Sequence, residues 1–365
     1  MTQEHHHTKK RKIRKSRIIT PIIIFLLIFS IYILTQSNEI SVTIIKNNDC
    51  EFCTDVQPII DLINQSKEVK INYLKQLDYK DQEAKSLINK LSIKTVPIVI
   101  IEGNAFTKTD LFNELSSDQI QKQANKFLIG NIKPPLTVIE TDEIIGTVNV
   151  VYLKDKECKE CADLNHAINK FKDMNIYIKE VKEIDIDSKQ GMDLIQRHNI
   201  KNIPTLIFDT ELKYYEDIKD NWKLYGTIED NGFMIMRKVL APYKELETNE
   251  IKGLIKITYI TDKKCTQCYD PLIHKQVISR IMPYYDDEQT LDISNNKAKE
   301  LIKKYNIKTI PTIILSEDIN EYPLFESLFG NVFEKQIDKT YVFKQNQDLK
   351  DVSYKNLESN EIIIN

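Results

Sequence analysis

A Cys-x-x-Cys pair followed 46 or 47 residues later by an apolar-Pro step occurs three times in this chain of 365 residues. The pairs are Cys50/Cys53, Cys158/Cys161 and Cys265/Cys268. The steps are Val96-Pro97, Ile203-Pro204 and Ile310-Pro311, each opening a β-branched run. The first cysteines lie 108 and 107 residues apart, and the prolines 107 apart both times. A period that long matches a whole domain of about 100–150 residues. It exceeds the roughly 20–50 residues of solenoid repeats, so it predicts three globular units in series. At 41% hydrophobic and 29% charged residues, each unit has enough apolar side chains for a core.

Within each period the apolar spacing alternates between strand and helix patterns. Repeat 1 reads as a strand over 40–45, a helix from Cys50 to about Gln65, a strand over 69–74, a helix over 81–91, the proline strand, and a helical stretch from about Thr109 to Leu128. Repeat 2 follows with a helix from Cys158 to Lys172 and ends in a hairpin turning at Asp230-Asn231-Gly232. Repeat 3 places its first helix over Cys265 to Ile281. This alternation predicts an α/β fold with mostly parallel central strands. Pro134-Pro135 and Ala241-Pro242 mark the boundaries. The expected units are therefore 39–133, 143–245 and 250–345, with a polar, loosely ordered tail over 346–365.

The amino end differs from the rest. Seven Lys or Arg fall within residues 9–17, followed by an uncharged run over 18–38. About 20 apolar residues span a bilayer, and a basic flank stays in the cytoplasm. The expectation is a cytoplasmic tail over 1–17, a single-pass signal-anchor over 18–38 in the cell membrane, and all three units outside. Without the tail the net charge falls from −3 to about −9. No basic stripe remains, which argues against nucleic acid as a partner.

All six cysteines sit in the three pairs. Loops of four residues make poor entropic staples. Zinc takes four ligands, so a lone pair in each unit leaves every site two short, and no metal or other cofactor is assigned. Three readings stay open: thiol–disulfide exchange, a redox-silent peptide-binding array, and a Cu(I) carrier using soft dithiolates. Two cysteines three apart at a helix start lie within bonding reach of each other. The helix dipole there would lower the first thiol's pKa. The proline step is a place for a cis peptide, with a strand edge left open to an extended peptide.

The order strand, Cys-x-x-Cys, strand, helix and proline strand resembles the thioredoxin superfamily, three times over residues 40 to 345. The resemblance implies tandem thioredoxin-like domains after the transmembrane helix, and thiol–disulfide oxidoreductase activity favouring oxidation or isomerisation of protein thiols, with a membrane redox partner. It makes Cys50, Cys53, Cys158, Cys161, Cys265 and Cys268 catalytic. It also makes Pro97, Pro204 and Pro311 cis and places them against Cys50, Cys158 and Cys265, binding substrate with Val96, Ile203 and Ile310. Pro58 matches a helix-kinking proline of thioredoxins. Where thioredoxins bury an acid in the strand before the motif, this chain has Ile44, Tyr152 and Tyr259. Lys263 and Lys264 precede Cys265, whereas Asp49 and Glu51 flank Cys50. Charge alone therefore makes Cys265 the more reactive first cysteine.

Overall fold

The computed structural model describes residues 38–67, 69–115, 119–130 and 132–365. The basic tail over 1–17 and the apolar run over 18–38, Asn38 excepted, lie outside them. Among the described residues no helix is long and apolar enough to cross a membrane. The chain divides into two compact units, Met1–Ile145 and Gly146–Asn365. Repeat 1 falls in the first, repeats 2 and 3 in the second.

Repeat 1 runs β1 (Glu39–Lys46), α1 (Gln57–Gln65), β2 (Lys70–Asp78), α2 (Gln82–Leu91), β3 (Thr95–Val96), β4 (Ile98–Glu102), α3 (Asp110–Glu114), β5 (Ile120–Gln123), β6 (Lys126–Ile129), β7 (Leu136–Val138) and β8 (Glu143–Ile145). Five strands form one sheet in the order β2-β1-β4-β6-β5. β1 is parallel to β2 and antiparallel to β4. Strand alternation feeds both faces of that sheet. Ile40, Val42 and Ile44 of β1 pack with Val99, Ile101 and Phe127 on the face covered by Ile60 and Ile63 of α1. Ile45, Ile98, Ile100 and Leu128 point the other way, onto Ala84, Ile88 and Leu91 of α2. Each such side chain contributes about 1.5–3 kcal/mol by leaving water.

Repeat 2 has the same plan: β9 (Val148–Lys154), α4 (Asn165–Asp173), β10 (Ile178–Asp185), α5 (Lys189–Arg197), β11 (Asn202–Ile203), β12 (Thr205–Phe208), α6 (Glu216–Asn221), β13 (Gly226–Ile228), β14 (Met234–Met236), β15 (Tyr243–Glu245) and β16 (Glu250–Lys252). Repeat 3 runs β17 (Ile255–Thr261), α7 (Leu272–Ile278), β18 (Tyr285–Asp292), α8 (Asn296–Lys304), β19 (Thr309–Ile310), β20 (Thr312–Leu315), α9 (Pro323–Phe329), β21 (Phe333–Lys335), β22 (Tyr341–Phe343), β23 (Ser353–Asn356) and β24 (Ile362–Ile364). Their main sheets take the matching orders β10-β9-β12-β14-β13 and β18-β17-β20-β22-β21. All three repeats are thioredoxin-like units, mixed α/β with helices on both faces of the sheet.

The second helix of every repeat ends the same way. Ser92, Asn199 and Asn306 are left-handed (φ 53°, 46° and 51°). The following N–H groups of Ile93, Ile200 and Ile307 reach back to the carbonyls of Ile88, Ile195 and Ile302. This αL cap stops the helix and directs the chain into the proline step. All three Val/Ile-Pro bonds there are cis, as are Pro134-Pro135 and Ala241-Pro242.

Four expectations fail, each through tertiary pairing. The central strands are not mostly parallel: each main sheet has one parallel pair, β1/β2, β9/β10 or β17/β18, and its other pairs are antiparallel. The helix drawn from Thr109 to Leu128 is only α3, followed by the β5–β6 hairpin. β6 is held in the sheet by β4, with Ile101 opposite Phe127 and Val99 opposite Ile129, and the turn uses a left-handed Ala124 (φ 55°). Residues after Pro135 are no linker, because β7 pairs with β3 and β8 with β7. The polar tail is ordered: β23 pairs with β19, and β24 with β23.

Candidate redox site

Each Cys-x-x-Cys lies in a turn, and the first helix of its repeat begins seven residues after the first cysteine, at Gln57, Asn165 and Leu272. The helix-tip placement is therefore incorrect, and with it the dipole argument for an acidic thiol, since that field fades within one turn. The physical cause is a competing bond. In a helix starting at Cys50, the Thr54 N–H would bond to the Cys50 carbonyl. Instead it donates to the Pro135 carbonyl at 2.9 Å. Ala162 N–H donates likewise to Pro242 (2.7 Å) and Tyr269 N–H to Ser353 (2.9 Å). Pro58 consequently sits in the first turn of α1, where its missing N–H has no partner to lose, and it kinks nothing.

The near side of each turn is fixed by the residue three before the first cysteine. The carbonyls of Asn47, Asp155 and Asp262 accept the N–H of Cys50, Cys158 and Cys265. Their side-chain Oδ1 atoms accept the N–H of Asp49, Glu157 and Lys264 at 2.8–2.9 Å. These are Asx-turns. On the far side, Asp55, Asp163 and Asp270 accept the N–H of Gln57, Asn165 and Leu272 and lead into the helix. Within this frame each cysteine pair is closed as a disulfide, with Cα atoms 5.4–5.5 Å apart.

A second, three-stranded sheet covers the proline side: β3-β7-β8, β11-β15-β16 and β19-β23-β24. Val96 faces Thr137, Ile203 faces Lys244 and Ile310 faces Lys355, all antiparallel. The N–H groups of Ile139, Leu246 and Leu357 donate to the carbonyls of Lys94, Lys201 and Lys308 at 2.8–3.0 Å. Hydrogen-bonded pairs alternate along an antiparallel ladder. Val96, Ile203 and Ile310, two residues on, therefore exchange their own N–H and C=O with the hairpin. The edge expected to stay open for a peptide is occupied by the chain itself.

Buried polar pairs tie each hairpin to its cysteine turn. In repeat 1 the Asn47 Nδ2 donates to Thr137 Oγ1 at 3.1 Å, and Cys53 Sγ lies 3.5 Å from that same oxygen. In repeats 2 and 3 the pair is ionic: Lys244 to Asp155 at 2.8 Å and Lys355 to Asp262 at 2.7 Å. Sequence reading missed all three pairs. For both aspartates burial pushes the pKa up. The lysine ammonium and the turn N–H groups outweigh it and hold each carboxyl below its ordinary range. A depressed carboxyl stabilises the fold above its unfolded pKa of about 4 and stops doing so as pH falls through the folded value. Protection of the Leu246 and Leu357 amides is thus expected to fall as pH drops below about 4, relative to Ile139 beside the neutral Asn47–Thr137 pair. Parallel behaviour of all three amides would contradict the latch assignment.

Cysteine and proline line one depression in repeat 2, whereas in repeats 1 and 3 the contacts run through a neighbouring residue. In repeat 2, Cys158, Cys161 and Pro204 line one depression of about 190 Å³ with Tyr152, Lys154 and Asp163. Tyr152, standing where thioredoxins keep an acid, donates its hydroxyl to Asp163 Oδ1 at 3.3 Å. In repeat 3, the Tyr269 hydroxyl lies 2.9 Å from the Pro311 carbonyl, 2.9 Å from His274 Nε2 and 2.7 Å from Asn346 Oδ1. Burial pushes the His274 pKa down to about 4, so a neutral imidazole shares a hydrogen bond with the Tyr269 hydroxyl. In repeat 1 the link runs from Cys53 through Thr137 to Val96. A 400 Å³ depression beside Pro97 and Leu136 contains no cysteine.

The sites are unequal in a way that charge alone did not indicate. Cys265 is buried, 8% exposed, while Cys50, Cys158 and the three second cysteines are partly exposed. Burial disfavours a thiolate and hinders attack, so it opposes the advantage that Lys263 and Lys264 give Cys265.

No protein-family model matches this sequence, and no curated protein matches it. Among solved structures the chain is similar to ERdj5, form II, at 10% identity and a TM-score of 0.16, covering 79% of this chain and 39% of that one. It is also similar to human ERp44, form I, at 13% identity and a TM-score of 0.16, covering 83% of this chain and 84% of that one. The chain thus spans about two fifths of the length of ERdj5. Likeness at that TM-score adds nothing to the strand orders and the cis prolines, which carry the fold assignment by themselves.

Proposed function

We propose that this protein is a thiol–disulfide oxidoreductase with three dithiol sites, held on the outer face of the cell membrane by its uncharged run over 18–38. The observation that carries this reading is the same in every repeat. A four-residue cysteine turn, closed as a disulfide, is hung between an Asx-turn and a hairpin beside a cis-proline step, with at least one cysteine partly exposed. An incoming thiolate attacks one sulfur and the other cysteine leaves as a thiolate. A second thiol then resolves the mixed disulfide. Net, two thiols are oxidised to a disulfide, and the cysteine pair gains two electrons and two protons. In this direction the pair is the oxidant, the role favoured in an oxidising compartment, whereas the reverse sequence makes it a reductant. A redox partner in the membrane would then reset it.

The reading is tested by equilibrating the folded full-length chain in glutathione buffers of graded potential, quenching by alkylation and weighing the products. Six thiols are expected to appear in pairs, reversibly. Cysteine pairs that stay oxidised in excess dithiothreitol while the protein remains folded would mark them as inert staples.

A further inference from the structure

Resting on the redox reading above, we propose that these sites exchange with low-molecular-weight disulfides and thiols rather than with extended polypeptides, because each peptide-docking edge is filled by the chain's own hairpin. An extended substrate would add itself as a strand beside the residue preceding the cis proline, bonding through main-chain N–H and C=O. At Val96, Ile203 and Ile310 those groups already face Thr137, Lys244 and Lys355. The hairpins are not loosely laid on. Val96, Thr137, Ile203 and Ile310 are fully buried. The turn after each second cysteine is bonded to the hairpin backbone at Pro135, Pro242 or Ser353, and the polar pairs Asn47–Thr137, Asp155–Lys244 and Asp262–Lys355 close the joint.

What remains open suits a small molecule. The depression over Cys158 and Cys161 measures about 190 Å³, below the roughly 300 Å³ at which drug-sized pockets begin. Its wall carries Asp155, already paired with Lys244, together with Asp163 and Lys154, the latter shared with Glu183. Asp163 and Lys154 offer one charge of each sign to the zwitterionic end of an aminothiol such as glutathione. In the reducing half-reaction, a low-molecular-weight thiolate attacks a sulfur of the Cys158–Cys161 bond and forms the mixed disulfide. The displaced cysteine takes up a proton. A second small thiolate then removes the first as its disulfide, and the remaining cysteine is protonated. Two electrons pass from two small thiols to the pair.

The experiment uses the full chain with serine at Cys50, Cys53, Cys265 and Cys268, reduced at Cys158 and Cys161. Its oxidation rate is measured with glutathione disulfide and with an unstructured ten-residue peptide carrying one cysteine as its mixed disulfide with glutathione. The two second-order rates are expected to agree within about threefold. The variant Leu246→Pro, which deletes the N–H bonded to the Lys201 carbonyl, should raise the peptide rate about tenfold, roughly the worth of two recovered backbone hydrogen bonds, and leave the glutathione disulfide rate unchanged. A peptide rate tenfold above that of glutathione disulfide in the parent chain would overturn the blocked edge while leaving the redox reading intact. That comparison stands even if the variant does not fold. No reaction with either disulfide would overturn the redox reading and this inference together.

Discussion

Asp155→Ala is expected to destabilise repeat 2 by about 3 kcal/mol, the usual cost of breaking a buried ion pair from one side. The Asp155 side chain is 4% exposed and Lys244 19%, so the stranded ammonium cannot recover full hydration. The same carboxylate also supports the Asx-turn through the Glu157 N–H, which then loses its acceptor as well. Repeat 1 supplies the control, since it holds the same joint with neutral Asn47 and Thr137. The double variant Asp155→Asn/Lys244→Thr should therefore recover most of the loss and come within about 1 kcal/mol of the parent. The single tryptophan, Trp222, is buried in the core of repeat 2 against Phe171 and Phe208, so urea unfolding can be followed by its fluorescence. Asp155→Ala should shift the midpoint by roughly 1–2 M. A shift below about 0.5 M, or a double variant as weak as the single, would show that the pair does not hold the hairpin.

Cys158→Ser is expected to bring thiol exchange at repeat 2 down to the uncatalysed background. Cys161→Ser should instead leave a chain that captures one glutathione and stops there. The difference follows from the chemistry: a lone attacking thiolate forms the mixed disulfide, but no neighbouring sulfur remains to displace it. Repeat 3 should reverse the assignment. There Cys265 is buried while Cys268 is partly exposed, so capture is expected at Cys268, with Cys265 left to resolve. Mass spectrometry of each single-cysteine variant after brief exposure to glutathione disulfide distinguishes the two patterns. Faster labelling of Cys265 than of Cys268 would show that Lys263 and Lys264 outweigh burial after all.

Much of the candidate site lies in short-range signals. The cysteine spacing and the apolar-Pro step act within a few residues, so they survive as readable repeats. The failures share a different character. The helix assigned from Cys50 was locally reasonable, but Thr54 N–H is taken by Pro135, 81 residues away in sequence. The Asp155–Lys244 and Asp262–Lys355 contacts join residues 89 and 93 apart. In repeat 1 the same joint is written in different residue types, Asn47 and Thr137, so comparing the repeats gives the Asn or Asp before each cysteine pair but not its partner on the hairpin.

The linear chain by itself determined the number of units, their α/β class and which sulfurs can meet, because those follow from period, alternation and a four-residue loop. Tertiary structure decided where the helices begin, which cysteine is exposed and whether a peptide can reach the proline edge. Each of these depends on which distant carbonyl or carboxylate arrives first at a backbone N–H or a buried ammonium, and no local pattern records that competition.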